Sequence, residues 1–392
     1  MKTYLLVHYG EIGLKGKNRE YFVKRLGKQI RERLSLAFYR KISITHTLGR
    51  FLVKNVKEDD NYQVVLKRIA GIKNFHFVYE GASGIEKLAE DIWGVWGKSW
   101  KKKFPDAKTF CVRVRKAQNM SYKSFEAERD IGAILLQKGI GLKAKMKDPD
   151  VEIYMEVFSN HGYFSFKKNF AMGGMPANTA GKFIAMLSAG IDSPVAAYKM
   201  MKRGARMIFV HFDGYPYTDD AEREHVKELV KILSDFQYDT KLFIVPFGKL
   251  QKTIATNMEI PSKYRTVLYR RFMVRIAERI CKREGAYGIV SGDNLGQVAS
   301  QTAQNMFAVH AVTSVPMYAP LIGYDKEEIV QVAREIGTFE ISKLPCKDTC
   351  SMFTPKSPEL NAKVYDLKKV EETLDIDKIV DECVKGAEVI KY

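Results

Sequence analysis

Apolar residues follow two rhythms along this chain, and the change of rhythm divides it near residue 170. Ahead of that point short strands and helices are mixed. Tyr4–Tyr9 alternates as a strand, and Asn18 is placed to cap a helix running to about Phe38, whose Phe22, Leu26 and Ile30 recur at i, i+4, i+8 on one face. Strands follow at Ile42–Thr47 and Arg50–Val56 around a tight Leu48-Gly49 turn. Past the acidic run Glu58-Asp59-Asp60, helical spacing appears at Tyr62–Ala70, Ile85–Lys101 and Ser124–Lys138. Strand patterns occupy Asn74–Tyr79, Thr109–Arg115, Val151–Phe158 and His161–Lys167. These patterns predict two small α+β domains, 1–60 and 61–170.

Residues 171–392 alternate short apolar strands with amphipathic helices: Phe183–Leu187, Pro194–Lys202, Arg206–Phe212, Ala221–Leu233, Lys241–Val245, Tyr264–Lys282, Gly288–Ser291, Thr313–Tyr318 and Asp325–Glu335. The expected fold class is α/β, a C-terminal doubly wound parallel sheet with ligands at its strand ends, preceded by the two small α+β domains.

The first of these strands runs into Ser188-Ala189-Gly190-Ile191-Asp192-Ser193-Pro194 and then into a helix. Pro194 suits a first helical turn, and Asp192 or Ser193 can cap the free amides. A strand, a tight turn and a helix N-terminus gather unpaired N–H groups and the positive end of the helix dipole at one spot, which is an anion site. Ser188, Gly190 and Ser193 leave room for phosphate oxygens and add hydroxyl donors. Asp192 is a natural ligand for phosphate-bound magnesium. A plain βα turn would need none of this ordered Ser, Gly, Asp, Ser and Pro. Gly181-Lys182 lacks the rest of a Walker loop, and no G-x-G-x-x-G follows a strand.

Composition is that of a globular protein, but the charge is lopsided. The net charge is +18. Residues 1–170 hold 34 Lys and Arg against 18 Asp and Glu, a net +16, whereas 171–392 hold 30 against 28, a net +2. A one-sided positive field implies a polyanion, nucleic acid first. Three basic runs carry it: Lys101, Lys102 and Lys103; Arg113 and Arg115 alternating on one strand, with Lys116 next; and Lys143, Lys145 and Lys147 at alternate positions. Charges at period two share one face of an extended segment, as phosphate contact requires.

The N-terminal apolar run is too short for a signal peptide, no window approaches a membrane span, and five cysteines are an odd, sparse set. A reduced cytoplasm is the expected location. Cys346 and Cys350 share one late loop, where sulfur chemistry is plausible; their spacing lacks a second Cys or His pair, so no protein metal site is expected. Cys111 and Cys281 read as buried hydrophobes.

Other polar residues cluster where the strands of the second half end. His211 and Phe212 can frame adenine, and Ser291-Gly292-Asp293-Asn294-Leu295-Gly296-Gln297, continuing to Ser300-Gln301, has glycines that allow close backbone approach. Arg270 and Arg271 lie on one helix whose turn can face phosphates, although one of the pair can equally be solvated. Lys326 sits at a helix start, where a cation gains nothing from the dipole, so a site role competes evenly with a surface one.

The loop at Ser188–Ser193 resembles the SGGxDS signature of the PP-loop ATP pyrophosphatases, with the adenine nucleotide alpha hydrolase-like fold. Ala189 stands where that family has glycine, and alanine resists positive φ. The whole chain resembles the tRNA 4-thiouridine synthetases. The resemblance rests on His8-Tyr9-Gly10-Glu11-Ile12-Gly13-Leu14-Lys15-Gly16-Lys17-Asn18-Arg19, which is similar to that family's ferredoxin-like signature, on a THUMP-like segment over 61–170, on Gly173-Gly174-Met175-Pro176 leading to the pyrophosphatase loop, and on the block Ser291–Gln301. It implies ATP contacts at Met186, Leu187, His211, Phe212, Arg270, Gly292 and Gln301, activation roles for Asp192 and Lys326, and a catalytic Cys350 within Cys350-Ser351-Met352-Phe353-Thr354-Pro355. It further implies ATP and Mg2+ as cofactors and tRNA as a partner, modified at position 8. A cysteine desulfurase or other persulfide or sulfide donor would be a second partner, with a role in thiamine thiazole synthesis and formation of a homodimer both open. Some members add a C-terminal rhodanese domain, which these 392 residues do not contain, so the sulfur carrier is open too. Rival readings are a PP-loop enzyme with another tRNA or small-molecule substrate, and a non-catalytic RNA-binding protein whose loop has decayed at Ala189.

Overall fold

Strands of the basic half join edge to edge into one sheet. The computed structural model describes residues 1–392 apart from 59–60, 118–119, 219, 238 and 346–352, and without the side chains of residues 98 and 99. Two compact units result, Met1–Gly174 and Met175–Tyr392.

In chain order the first unit runs β1 (Thr3–Tyr9), α1 (Arg19–Phe38), β2 (Ser43–Thr47), β3 (Arg50–Lys54), α2 (Tyr62–Lys67), β4 (Ile72–Gly81), α3 (Ile85–Lys103), β5 (Thr109–Lys116), α4 (Ser124–Gln137), β6 (Lys143–Ala144), β7 (Val151–Val157), β8 (Gly162–Ser165) and β9 (Asn169–Phe170). The sheet has the order β2-β3-β1-β4-β8-β7-β5-β6, with β9 also on β4. Leu48 and Gly49 both take positive φ, 45° and 81°, which turns β2 back onto β3. In α1 the buried stripe is Val23, Leu26, Ile30 and Leu34, so Val23 takes the place expected for Phe22. Asn18 makes no side-chain cap, because short 3₁₀ turns at Glu11–Leu14 and Gly16–Asn18 already lead the chain into the helix.

The strand expected at Asn74–Tyr79 is β4, and it pairs with β1 from Thr3↔Tyr79 to Tyr9↔Ile72. No sheet edge therefore falls at residue 60, and the break in compactness comes at 174. Strand β7 alternates buried Val151, Ile153, Met155 and Val157 with half-buried Glu152, Tyr154 and Glu156. Its apolar set packs with Val112 and Val114 of β5 against Ile92 and Trp96 of α3 and Ile131 and Leu135 of α4. The polar set faces away from those helices.

The second unit contains β10 (Lys182–Met186), α5 (Asp192–Lys202), β11 (Arg206–Asp213), α6 (Asp220–Ser234), β12 (Lys241–Pro246), α7 (Gly248–Thr256), α8 (Arg265–Glu284), β13 (Ile289–Val290), α9 (Ala303–His310), β14 (Met317–Tyr318), α10 (Lys326–Ile336), α11 (Phe339–Ser342), α12 (Val364–Glu371), α13 (Ile376–Lys385) and β15 (Glu388–Lys391). Its sheet runs β14-β13-β10-β11-β12-β15, parallel except for β15, which pairs antiparallel with β12. Ile184, Val210 and Phe243 of the sheet pack on Phe272, Ile276 and Ile280 of α8. Strand order reverses on either side of β10, and such a switch point opens a crevice at the C-terminal strand ends. Among the described residues no helix is long and apolar enough to cross a membrane.

Candidate nucleotide site

A cavity of about 300 Å³ opens beyond the end of β10. The turn after that strand closes on itself through one hydroxyl: Ser193 Oγ accepts from Ser188 N at 3.0 Å and reaches Ser188 O at 3.3 Å. Gly190 N donates in turn to Ser188 Oγ, at 3.3 Å. Neither Asp192 nor Ser193 caps α5 as expected, since Ser193 turns back to the strand and Asp192 turns away to α10. Pro194 is the third residue of α5, within its first turn. Ala189 is buried at 4% exposure and does not have a positive φ, so alanine follows this turn without the strain its substitution for glycine suggested.

A second loop presses on that turn from β13. A Cβ on Gly292 would lie 2.8 Å from Ser193 N and 2.9 Å from its Cα, so only glycine lets the two backbones meet. The next residue, Asp293, is 3% exposed and accepts from Ser291 Oγ at 2.8 Å and from Arg270 at 2.5 Å. Burial alone would raise its carboxyl pKa, but Arg270 and the bonds from Ser291 and Arg270 hold it below the usual value. Arg270 also donates to Ser300 O at 3.1 Å, and Gln301 Nε2 reaches Asp293 at 3.3 Å. The guanidinium is thus aimed before any anion arrives.

Asp192 is held from both sides. Lys326 Nζ lies 2.6 Å from its Oδ1, and Gln297 Nε2 donates to its Oδ2 at 2.9 Å. Lys326 is the first residue of α10, which is fixed by a capping box of Asp325 and Glu328. Asn294 donates to Tyr324 O, which ties the β13 loop to the start of α10. Lys326, whose role the sequence left open, is thus brought onto the turn through Asp192.

Met186, Leu187, Ser188, Gly190, Asp192 and Ser193 line the cavity from the first strand and turn. His211, Phe212, Arg270, Gly292 and Gln301 close it from other elements. His211 is held by Nδ1 at 3.1 Å from Leu187 O. Arg271 does not face the cavity. It is 1% exposed and grips Glu371 through two bonds of 2.7 and 2.8 Å, with Arg275 on the same carboxylate. Sequence reasoning gave Asp293 and Gln297 no role, although both stood in the quoted block. A polar residue three or seven places after a strand signals a ligand loop only once a partner such as Arg270 or Asp192 is known.

Three of the five cysteines, Cys111, Cys281 and Cys383, are buried, and burial raises each thiol pKa, that of Cys383 to about 11, which disfavours the reactive thiolate. Cys346 and Cys350 lie outside the described residues.

In the first unit the basic residues divide. Lys101, Lys102, Lys143 and Lys145 are exposed. Lys103 is paired with Glu58 at 2.6 Å, and Lys116 donates to Met120 O at 3.1 Å. Arg113 and Arg115 share the polar face of the sheet, as their alternation predicted, and line a cleft of about 810 Å³. Lys73, Lys168, His8 and His76 join them there from distant parts of the chain, which no local run could reveal. His76 bonds Ser165 at 3.0 Å and Asn74 at 3.3 Å, and burial, then His8 and Lys168, push its pKa down to about 3.

Known proteins match this arrangement along its whole length. The family described as "Thiamine biosynthesis protein (ThiI)" matches residues 178–376, the ThiI ferredoxin-like domain residues 4–75, and the THUMP domain residues 96–167. A probable tRNA sulfurtransferase of Bacillus licheniformis is 36% identical over 99% of this chain and 96% of its own. One from Geobacillus kaustophilus is 34% identical over 98% and 95%. A crystal structure of a 4-thiouridine synthetase–RNA complex with bound ATP superposes with a TM-score of 0.85 at 33% identity, covering all of both chains. With the switch-point cavity and its closed turn in place, these matches show that the chain belongs to the ThiI family of tRNA sulfurtransferases.

Proposed function

We propose that this chain makes 4-thiouridine in tRNA by activating the C4 oxygen of a uridine with ATP and exchanging it for sulfur. One observation carries the reading: the Ser188–Ser193 turn, Asp192 and Arg270 converge on a single cavity in a chain that matches an ATP- and RNA-bound 4-thiouridine synthetase over its full length. In the reaction, uracil O4 attacks the α-phosphorus and pyrophosphate leaves. A sulfur nucleophile then adds at C4, and AMP departs with the former O4. Ser188, Gly190 and Ser193 hold the phosphates, Arg270 offsets charge that develops on them, and His211 and Phe212 flank the adenine.

Asp192 is the one carboxylate on the turn itself, and among the described residues no group of three or more His, Cys, Asp or Glu could hold a metal alone. That donor set fits magnesium, which binds through one or two carboxylates plus substrate phosphates. Bound there, it supplies neutralisation of phosphate charge. Lys326 is then free to turn from Asp192 toward the pyrophosphate.

Cys350 takes part in sulfur delivery, receiving persulfide sulfur or resolving it with Cys346, in a reducing cytoplasm. A cysteine desulfurase or another persulfide or sulfide source supplies the sulfur. The basic unit holds the tRNA, with Lys101, Lys102, Arg115, Lys143 and Lys145 as its free phosphate contacts. The family description favours a second use of the same sulfur, delivery to the thiazole of thiamine. Mass analysis of tRNA nucleosides after incubation with ATP, magnesium and sulfide tests the main reading. Appearance of 4-thiouridine supports it, and Cys350→Ser is expected to abolish the product with a persulfide donor while tRNA binding stays intact. Unmodified tRNA despite measured ATP binding would refute the reading.

A further inference from the structure

Gln297 stands on a loop whose backbone is tied at three points. Leu295 N donates to Ile322 O at 3.2 Å, Gly296 N to Gln301 O at 2.9 Å, and Gln297 N to Asn294 O at 3.4 Å. From that loop the Gln297 side chain donates through Nε2 to Asp192 Oδ2 at 2.9 Å. An ionised carboxylate only accepts and an amide NH2 only donates, so the amide has one way to face Asp192. The other carboxylate oxygen, Oδ1, is held by Lys326 Nζ at 2.6 Å.

These two partners of Asp192 differ in how firmly they are placed. Gln297 is neutral and rides on a fixed loop. Lys326 is a point charge on a flexible four-carbon stem, and its side chain is 48% exposed. It is also the first residue of α10, where the positive end of the helix dipole works against an ammonium. A divalent cation that took Oδ1 from Lys326 would leave the carboxylate neutralised. One that displaced Gln297 instead would share a single carboxylate with the ammonium, and like charges repel.

Resting on the reading that this cavity takes ATP with magnesium, we propose that Gln297 is a positioning residue that keeps Asp192 Oδ1 turned outward for the metal, while Lys326 holds that oxygen until the metal takes its place. Lys326 thus competes with the metal in the nucleotide-free protein. When the triphosphate is present, the ammonium that gives up Asp192 finds new anionic partners, so nucleotide and metal favour each other. Gln297 acts only through Asp192, by fixing which oxygen is offered.

The test uses Mn2+ in place of magnesium on the full chain and counts the free ion by its paramagnetic resonance signal. Lys326→Met should tighten Mn2+ binding to the nucleotide-free protein by about fivefold or more, since the competing charge is gone. Lys326→Arg keeps that charge and should hold Mn2+ no tighter than the wild type. Gln297→Met, of similar length but without the donor, should weaken Mn2+ binding to the complex with α,β-methylene ATP by about tenfold or more, while ATP affinity measured in EDTA stays within about threefold. Gln297→Leu should behave alike, and it decides the matter should Gln297→Met fail to fold. The inference is overturned if Lys326→Met binds Mn2+ no tighter than the wild type. It is equally overturned if Gln297→Met leaves Mn2+ affinity unchanged or weakens metal-free ATP binding as much. A wild type that binds no ATP with or without Mn2+ overturns instead the reading on which it rests.

Discussion

The nucleotide cavity and the cleft of the basic unit are assembled by opposite means. The cavity grows from one local turn, closed across five positions by the Ser188–Ser193 bonds and braced by a second loop through Gly292. The cleft has no such seed. Its floor and rim come from β1, β4, β5 and β7, which bring His8, His76, Arg113, Arg115 and Tyr154 together. The cavity holds its charges as preformed pairs, Asp192 with Lys326 and Asp293 with Arg270, whereas the cleft, which pairs Arg113 with Glu152 at 3.6 Å, leaves Arg115 exposed and keeps His76 neutral. A site that must stabilise charge during a reaction profits from fixed dipoles and ions. A surface that binds a polyanion needs only unpaired positive charge and a shape.

The sharpest way to break this contrast is at the contact between the two loops of the cavity. Gly292→Ala pushes a methyl group into the backbone at Ser193, and overpacking of that kind costs about 1–3 kcal/mol. Calorimetry should show ATP affinity falling by about tenfold or more, with tRNA affinity unchanged. In the cleft, the double variant Arg113→Ala/Arg115→Ala should weaken tRNA binding by about tenfold at moderate salt and lower the slope of log Kd against log salt by about 1–2. ATP affinity should not move. If one variant disturbed both ligands, the division of labour between the units would be wrong.

A smaller effect separates the regions by pH. The pKa of His76 is lower folded, about 3, than unfolded, so between the two values the unfolded state binds the extra proton. Stability from this group is complete above about 6.5 and drains away as pH falls toward 3. At pH 5 the loss should be about 1–2 kcal/mol. Hydrogen exchange should show β4 and its neighbours losing protection on acidification before β10 and β11 do, and His76→Gln should shrink the difference, leaving the share of His8, whose pKa burial also pushes down to about 3. Smallest of all is Ala189→Gly: as the residue is not left-handed, ATP affinity should change by less than about threefold.

How far sequence could be read follows the same division. The Ser188–Pro194 turn was legible because its chemistry is contiguous, and the parallel order of the second sheet followed from alternating strands and helices. Gly292 was expected to allow close approach to a ligand, yet what it meets is the backbone at Ser193, a partner 99 positions away that no local pattern encodes. Arg271 looked identical to Arg270 in the sequence; one helical position turns it into the core against Glu371. Helices α7, α9, α12 and α13 and strand β15 went unforeseen, being short or built on mixed polar patterns stabilised by packing on α8 and β12. The acidic run behind the boundary expected at residue 60 carries no sign that β4 returns to pair with β1.

The central claim is that the turn at Ser193 presents ATP to a base oxygen. It is tested most directly with tRNA carrying 18O at C4 of the target uridine, incubated with the protein, ATP, magnesium and a sulfur donor. The account predicts the label in the phosphate of AMP, in proportion to 4-thiouridine formed, and none in pyrophosphate. Thiolated tRNA accompanied by unlabelled AMP would contradict it.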